Sequence, residues 1–430
     1  MPEATLSHAP PIANGKGRIL FASLIGTTIE FFDFYIYGTA AVLVFPRLFF
    51  PAGDPATATL QSLATFALAF FSRPLGSALF GHFGDRIGRK ATLVAALLTM
   101  GISTVVIGLL PSYAQIGVAA PILLSLCRFG QGLGLGGEWG GAVLLATENA
   151  PPGQRAWYGM FPQLGAPIGF VLCGGGFLLL THFLGDAEFF RWGWRVPFLA
   201  SSVLVLVGLW VRLNLRETPA FLRALAVEER QRLPFVTLVR DHPGRLVRGM
   251  LMGLCTFVLF YVMTVFTLTW GTTALHFSRE HFLLIQLFGV LFFGLGIPIS
   301  AHLADRHGRR PVLMAASGAI ALFGLGFAPL FGSGDPGPVI LFLALGLGLM
   351  GLTYGPIGTM MSDQFPTLVR YTGSSFAFNL AGIFGGSVTP YFATWLGTHH
   401  GVQAVGWYLS AAALITLGAL WGAPQAPGED

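Results

Sequence analysis

Gly81-His82-Phe83-Gly84-Asp85-Arg86-Ile87-Gly88-Arg89-Lys90 is answered, 220 residues further on, by Ala301-His302-Leu303-Ala304-Asp305-Arg306-His307-Gly308-Arg309-Arg310. Each string is polar and basic, and each stands between two long apolar runs. Such a pair marks an internal duplication. A second pair obeys the same duplication: Glu148 with Arg155, and Asp363 with Arg370, are each seven residues apart and lie 215 residues from one another. The longest polar stretch falls between the copies. It divides the chain into a first half over 1–214, a linker over 215–246 and a second half over 247–430.

Composition says what kind of halves these are. Of 430 residues 54% are apolar and 10% charged, and the mean hydropathy is +0.70, which a water-exposed surface does not tolerate. The apolar runs are about 20 residues long, the length a helix needs to cross ~30 Å of hydrocarbon. They lie at 18–45, 58–82, 91–111, 118–146, 157–184, 194–213, 247–274, 281–303, 311–331, 338–360, 371–397 and 402–422. The expected fold is therefore an all-α membrane protein of twelve transmembrane helices in two six-helix, pseudo-symmetric halves. A transmembrane barrel would alternate over ten-residue segments instead. The first residues lack a basic region and small-residue cleavage site, so no removed signal peptide is expected.

Lys and Arg set the orientation. With the N-terminus on the inner side, eighteen of them fall in inner segments and four in outer loops. This bias places both termini in the cytoplasm. It also accounts for the pI near 9.3 without a nucleic-acid partner. The cysteines, Cys127, Cys173 and Cys255, all lie inside apolar runs and read as packing residues.

The Asp-Arg-x-Gly-Arg strings after the second and eighth spans resemble the signature loop of the major facilitator superfamily, and the resemblance covers essentially the whole chain. Within it, Gly26-Thr27-Thr28-Ile29-Glu30-Phe31-Phe32-Asp33-Phe34-Tyr35-Ile36-Tyr37-Gly38 and the run from Arg128 through Gln131, Gly136, Gly137, Glu138 and Trp139 to Gly141 are similar to the metabolite:proton symporters. Trp192-Gly193-Trp194-Arg195-Val196-Pro197 and Glu217-Thr218-Pro219 fit the same branch. The resemblance implies alternating access in a bacterial inner membrane and uptake of shikimate, dicarboxylate, citrate or betaine-like solutes. Ala301 departs from the pattern, standing where the first copy has Gly81.

Charges inside the spans carry the functional reading. Glu30, Asp33, Glu138, Arg73 and Arg128 each cost roughly 2.5–3.5 kcal/mol at a helix centre, so each needs a purpose or a partner. Glu30 and Asp33 share one helix face, which Tyr37 extends. Arg128, Gln131 and Glu138 form a polar stripe on the fourth span. Proton-driven import of an anion needs an acid that titrates when buried and a cation that keeps its charge. Asp33, Glu30 and Glu138 are the expected proton-coupling acids. Arg128 is the expected substrate cation, released from an ion pair when Asp33 is protonated. Tyr37, Gln131, Gln163, Tyr261, Gln286, Tyr354 and Asn379 are expected to complete the substrate cavity. Arg73, before Pro74, is read as structural, snorkelling or pairing near the inner part of its span.

The loop residues take a different expectation. Gly81, Asp85, Arg86, Gly88, Arg89, Glu148 and Arg155, with Asp305, Arg309, Asp363 and Arg370, form a cytoplasmic charge network, and the family resemblance implies that it stabilises the outward-open arrangement. His82, His302 and the His399-His400 pair read as helix-end polar residues.

The expected function is proton-coupled symport of a small organic anion or zwitterion by a functional monomer in a lipid bilayer. Drug:proton antiport is the alternative, since Gly165-Ala166-Pro167-Ile168-Gly169 loosely resembles the antiporter motif. A channel or sensor would need a filter loop or signalling domain, and neither is visible. No cofactor is expected: no GxxxxGK[ST], HExxH or GxSxG pattern occurs.

Overall fold

The computed structural model describes residues 16–51, 54–87, 89–136, 138–213, 234–366 and 369–423. Its helices group into twelve rods. They are α1 (Lys16–Leu43), α2 (Pro55–Ile87), α3 (Arg89–Leu109), α4 (Ala119–Leu135 continued by Glu138–Glu148), α5 (Arg155–Phe183) and α6 (Val196–Leu213). The second half contributes α7 (Pro243–Thr273), α8 (Arg279–His307), α9 (Arg309–Phe331), α10 (Pro336–Asp363), α11 (Arg370–Gly382, a π turn over Ile383–Ser387, then Thr389–His400) and α12 (Val402–Trp421). Among the described residues nine of these are long and apolar enough to cross a membrane without interruption. Three fall short of that length: α3 is apolar over Val94–Leu109, and α4 and α11 are broken midway.

Consecutive rods within each half are joined by short connections and run alternately up and down. Arg245 in the first turn of α7 donates to the Gln364 carbonyl just past α10, and Arg155 at the start of α5 pairs with Asp363 at the end of α10, which aligns the two halves. One end of the bundle, called proximal here, holds the starts of α1 and α7 and the ends of α6 and α12. The other is distal. Of the expected linker, 215–233 lies outside the described residues. The rest contains a short helix, Pro234–Asp241, and the first turn of α7, which begins at Pro243 where the sequence reading began it at 247.

Lipid contact explains which side chains face outward. Leu206, Trp210, Leu295, Ile299, Leu322, Trp407 and Trp421 are exposed, with the three tryptophans near rod ends, while Asp33, Arg128, Gln131 and Gln163 are buried. Within the first half α1 packs on α5, α2 on α4, and α3 on both α4 and α6. Across the halves, α5 packs on α8 and α10, and α2 on α11.

The expected continuous fourth span is corrected to two pieces. Gly136 lies so close to α2 that a Cβ there would strike the Arg73 carbonyl, and a side chain of any kind would push the rods apart. The Gly136 carbonyl also takes bonds from outside its own rod. Ser77 of α2 donates to it, and so does Asn379 Nδ2 of α11, at 3.2 Å. One glycine thus fixes the α2–α4 contact and a contact between the halves. At the distal start of α2, Asp54 accepts from the Thr57 backbone N–H at 2.9 Å and the Thr57 hydroxyl at 2.7 Å. Those bonds hold its carboxyl below the ordinary carboxylate range.

Candidate functional site

Between the halves lies a cavity of about 50 Å³, room for a few waters. Its polar lining is Glu30 of α1, Arg73 of α2, Thr256 and Tyr261 of α7, Tyr354 of α10 and Asn379 of α11. Phe31, Phe34, Trp139, Phe257, Phe260 and Phe378 supply the aromatic walls. Toward the distal end Phe66, two turns before Arg73, packs on Tyr261 with centroids 5.6 Å apart. Toward the proximal end Trp139 stacks on Phe378 at 3.5 Å and donates its indole N–H to Gln163 Oε1 at 2.9 Å. Gln163 Nε2 in turn donates to the Tyr354 carbonyl at 2.8 Å, tying α5 to α10.

Arg73 is the cation of this cavity, a correction to its reading as a structural residue. Its guanidinium lies 4.9 Å from the Phe34 ring centroid and 4.8 Å from that of Phe70, and its Nε has no hydrogen-bond partner. The faces of two rings offset part of the cost of burying it, as a cation over an aromatic face does by ~2 kcal/mol when desolvated. They leave donors for a ligand. Glu30 enters the same cavity from α1.

Arg128 is not there. It is fully buried behind the wall, 4.1 Å from the Tyr37 ring centroid, 4.6 Å from Phe34 and 4.7 Å from Phe66. The expected ion pair with Asp33 is also corrected. Arg128 donates from Nη1 to Gln131 Oε1 at 3.0 Å and from Nε to the Phe66 carbonyl at 3.4 Å, while Nη2 is left without a partner. Asp33, 1% exposed, instead accepts from Thr104 Oγ1 of α3 at 3.2 Å and Ser201 Oγ of α6 at 2.5 Å. Among the described residues, acid and cation are linked through Gln131 and Thr104. Thr104 and Ser201 were missed in the sequence because isolated hydroxyls in apolar runs are common and carry no charge to flag them.

The remaining expected residues divide. Tyr261, Tyr354 and Asn379 line the cavity, and Gln163 closes its proximal side. Tyr37 is buried away from it and bonds Thr65 at 2.8 Å, and Gln131 belongs to the Arg128–Thr104 link. Gln286 is spent on the α7 backbone, donating to the Thr264 carbonyl at 2.8 Å beside the π turn Val262–Phe266. Glu138 lies outside the described side chains, as do Gly81, Asp85, Arg86, Gly88, Arg89 and Glu148.

At the proximal end the described part of the loop network joins the halves. Arg155 of α5 pairs with Asp363 of α10 at 3.3 Å, and Arg309 of α9 holds the other oxygen of Asp363. Asp305 of α8 accepts from the backbone N–H groups of Ala156 and Trp157, both at 2.9 Å, so it caps the first turn of α5 from the opposite half. Arg370 turns to its own loop, donating to the Phe365 carbonyl at 3.3 Å. The distal end has a second clasp between the halves: Arg279 at the start of α8 with Asp186, just past α5, at 3.1 Å, and Glu280 of α8 with His182 of α5 at 2.9 Å.

Two six-helix halves, clasped at both ends around a buried polar cavity, define a secondary transporter. The chain belongs to the major facilitator superfamily, whose family model matches residues 23–387. It is 58% identical to the inner membrane metabolite transport protein YhjE of Escherichia coli K12, over 97% of this chain and 96% of that one. It is 37% identical to the shikimate transporter of the same organism, over 93% and 92%. The fold matches a crystal structure of a D-xylose-proton symporter with a TM-score of 0.76 at 19% identity, covering 96% of this chain and 99% of that one. It is a multi-pass membrane transporter.

Proposed function

We propose that the chain imports a small carboxylate together with protons, across a membrane whose cytoplasmic face is the proximal end. The observation that carries the reading is Arg73. A buried guanidinium that lines a cavity between the two halves is suited to a planar anion. Glu30, in the same cavity, and Asp33, buried behind its wall, are proposed as the acids that take up and release the coupled proton. Shikimate, which the name of one relative gives as its substrate, is a carboxylate of the proposed kind. The orientation draws support from the eighteen inner basic residues against four outer ones.

A second reading concerns the substrate's charge. Glu30 and Arg73 present opposite charges to one cavity with aromatic walls, which also suits a zwitterion whose cationic end lies over the rings. In either case the cavity, with room for only a few waters, must widen to admit the solute, and the proximal clasp is proposed to hold the state open to the distal side. Stabilisation of the purified protein by organic acids and betaines identifies the ligand. Uptake of that ligand into vesicles with an imposed pH gradient then tests the coupling. Uptake abolished by a protonophore is expected. Uptake indifferent to the gradient, or gradient-driven efflux of hydrophobic cations, contradicts it.

A further inference from the structure

Asp33, Thr104, Gln131 and Arg128 form one unbroken run of hydrogen bonds across α1, α3 and α4, sealed from the cavity. All four are at most 1% exposed. Arg128 Nη1 donates to Gln131 Oε1 at 3.0 Å, Gln131 Nε2 to Thr104 Oγ1 at 2.8 Å, and Thr104 Oγ1 to Asp33 Oδ2 at 3.2 Å. The Thr104 hydroxyl has a second acceptor, the Met100 carbonyl at 3.0 Å. A hydroxyl has one proton and two acceptor sites, so it serves these two acceptors only in turn.

That single proton gives the run two complete arrangements. With Asp33 ionised, Thr104 donates to the carboxylate and accepts from Gln131. With Asp33 protonated, the carboxyl donates to Thr104 Oγ1, Thr104 swings its own proton to the Met100 carbonyl, and the bond from Gln131 remains. In both arrangements the Asp33 carboxyl, the Thr104 hydroxyl and the Gln131 amide N–H all keep a hydrogen-bond partner. The Thr104 oxygen differs between the two in the charge on its partner. The bond it takes from Gln131 is therefore strengthened or weakened with the state of Asp33, as in any polarised chain of hydrogen bonds. Arg128 shares the Phe34 ring with Arg73, so the far end of the run reaches the wall of the cavity.

We propose that Thr104 is a switching hydroxyl that passes the protonation state of Asp33 through Gln131 to Arg128. The proposal rests on the reading of Asp33 as a proton site. The other titratable groups around Asp33 are Glu30 and Tyr37 on α1, Arg73 on α2, Arg128 and Cys127 on α4, and Cys173 on α5. Over Val94–Leu109 of α3 and Val196–Val211 of α6 there is none. Thr104 is a positioning residue in this scheme and touches no substrate.

Infrared difference spectra between alkaline and acid buffer, on the full chain in lipid nanodiscs with ¹³C-labelled glutamine, test it without a known substrate. In the unaltered protein a carboxyl band that vanishes in Asp33→Asn is expected. With it should come a shift of the labelled carbonyl that vanishes in Gln131→Leu. Thr104→Ser should keep both signals. Thr104→Val, or Thr104→Ala should the valine variant not fold, should keep the carboxyl band and lose the Gln131 shift. A Gln131 shift that survives without the hydroxyl overturns the relay. Absence of the Asp33 band from the unaltered protein overturns instead the proton-site reading beneath it.

Discussion

Two guanidinium groups lie over the single ring of Phe34, and they do different work because only one of them can be reached. Arg73 opens into the cavity, and Arg128 is spent on Gln131 and the Phe66 carbonyl. Replacing Arg73 by Gln should abolish ligand stabilisation, with affinity falling by about 100-fold or more, the usual loss when a buried charged hydrogen bond is truncated. Arg73→Lys, which keeps charge without the planar fork, should fall between. Isothermal titration with the stabilising ligand decides this, and unchanged affinity in Arg73→Gln would remove Arg73 from the site. The sequence singled out both arginines, with Glu30 and Asp33, as charges inside spans that need a purpose or a partner. It did not tell which arginine faces the gap, because Arg73 lies nearer a span end, where snorkelling is an adequate explanation. The choice is made only by how α2 is rotated against α11.

At the scale of the elements, the break in α4 is what lets the halves approach. Its signal, Gly136-Gly137, was visible in the sequence, but the run around it is apolar enough to be read as one helix. What fixes the break is the closeness of the Arg73 carbonyl, a long-range fact. Gly136→Ala should therefore lower the thermal midpoint in detergent, with a cost of about 1–3 kcal/mol as for overpacking elsewhere. An alanine variant as stable as the parent would show that α2 yields easily. The cap on α2 makes a pH-dependent prediction. The carboxyl of Asp54 is held low in the folded chain, so its contribution is complete above its unfolded value and is lost as pH falls through the folded one. Asp54→Ala should thus lower the thermal midpoint at neutral pH and converge with the parent in acid. A difference that persists in acid would contradict the capping role.

For the whole molecule the second copy of the duplicated loop, with Arg155 and Asp363, turns out to lie where the halves hold one another. The repeat spacing picked out Asp363 and Arg155 but not that they meet: Asp363 takes Arg155 from the opposite half, since contact across an interface leaves no mark on spacing. Asp363→Asn should loosen the proximal clasp. The pair with Arg155 is partly exposed, so the shift is about 1 kcal/mol, roughly five-fold in population. Spin labels at Gln154 and His307, both exposed at the proximal end, should report a larger share of long distances. An unchanged distribution would mean that the clasp does not set the balance between states. The most direct test of the proposed mechanism separates the sealed acid from the cavity. In proteoliposomes loaded with the identified ligand, Asp33→Asn should exchange labelled ligand across the membrane yet fail to accumulate it when a pH gradient is imposed. Accumulation by Asp33→Asn equal to that of the unaltered protein would contradict the account.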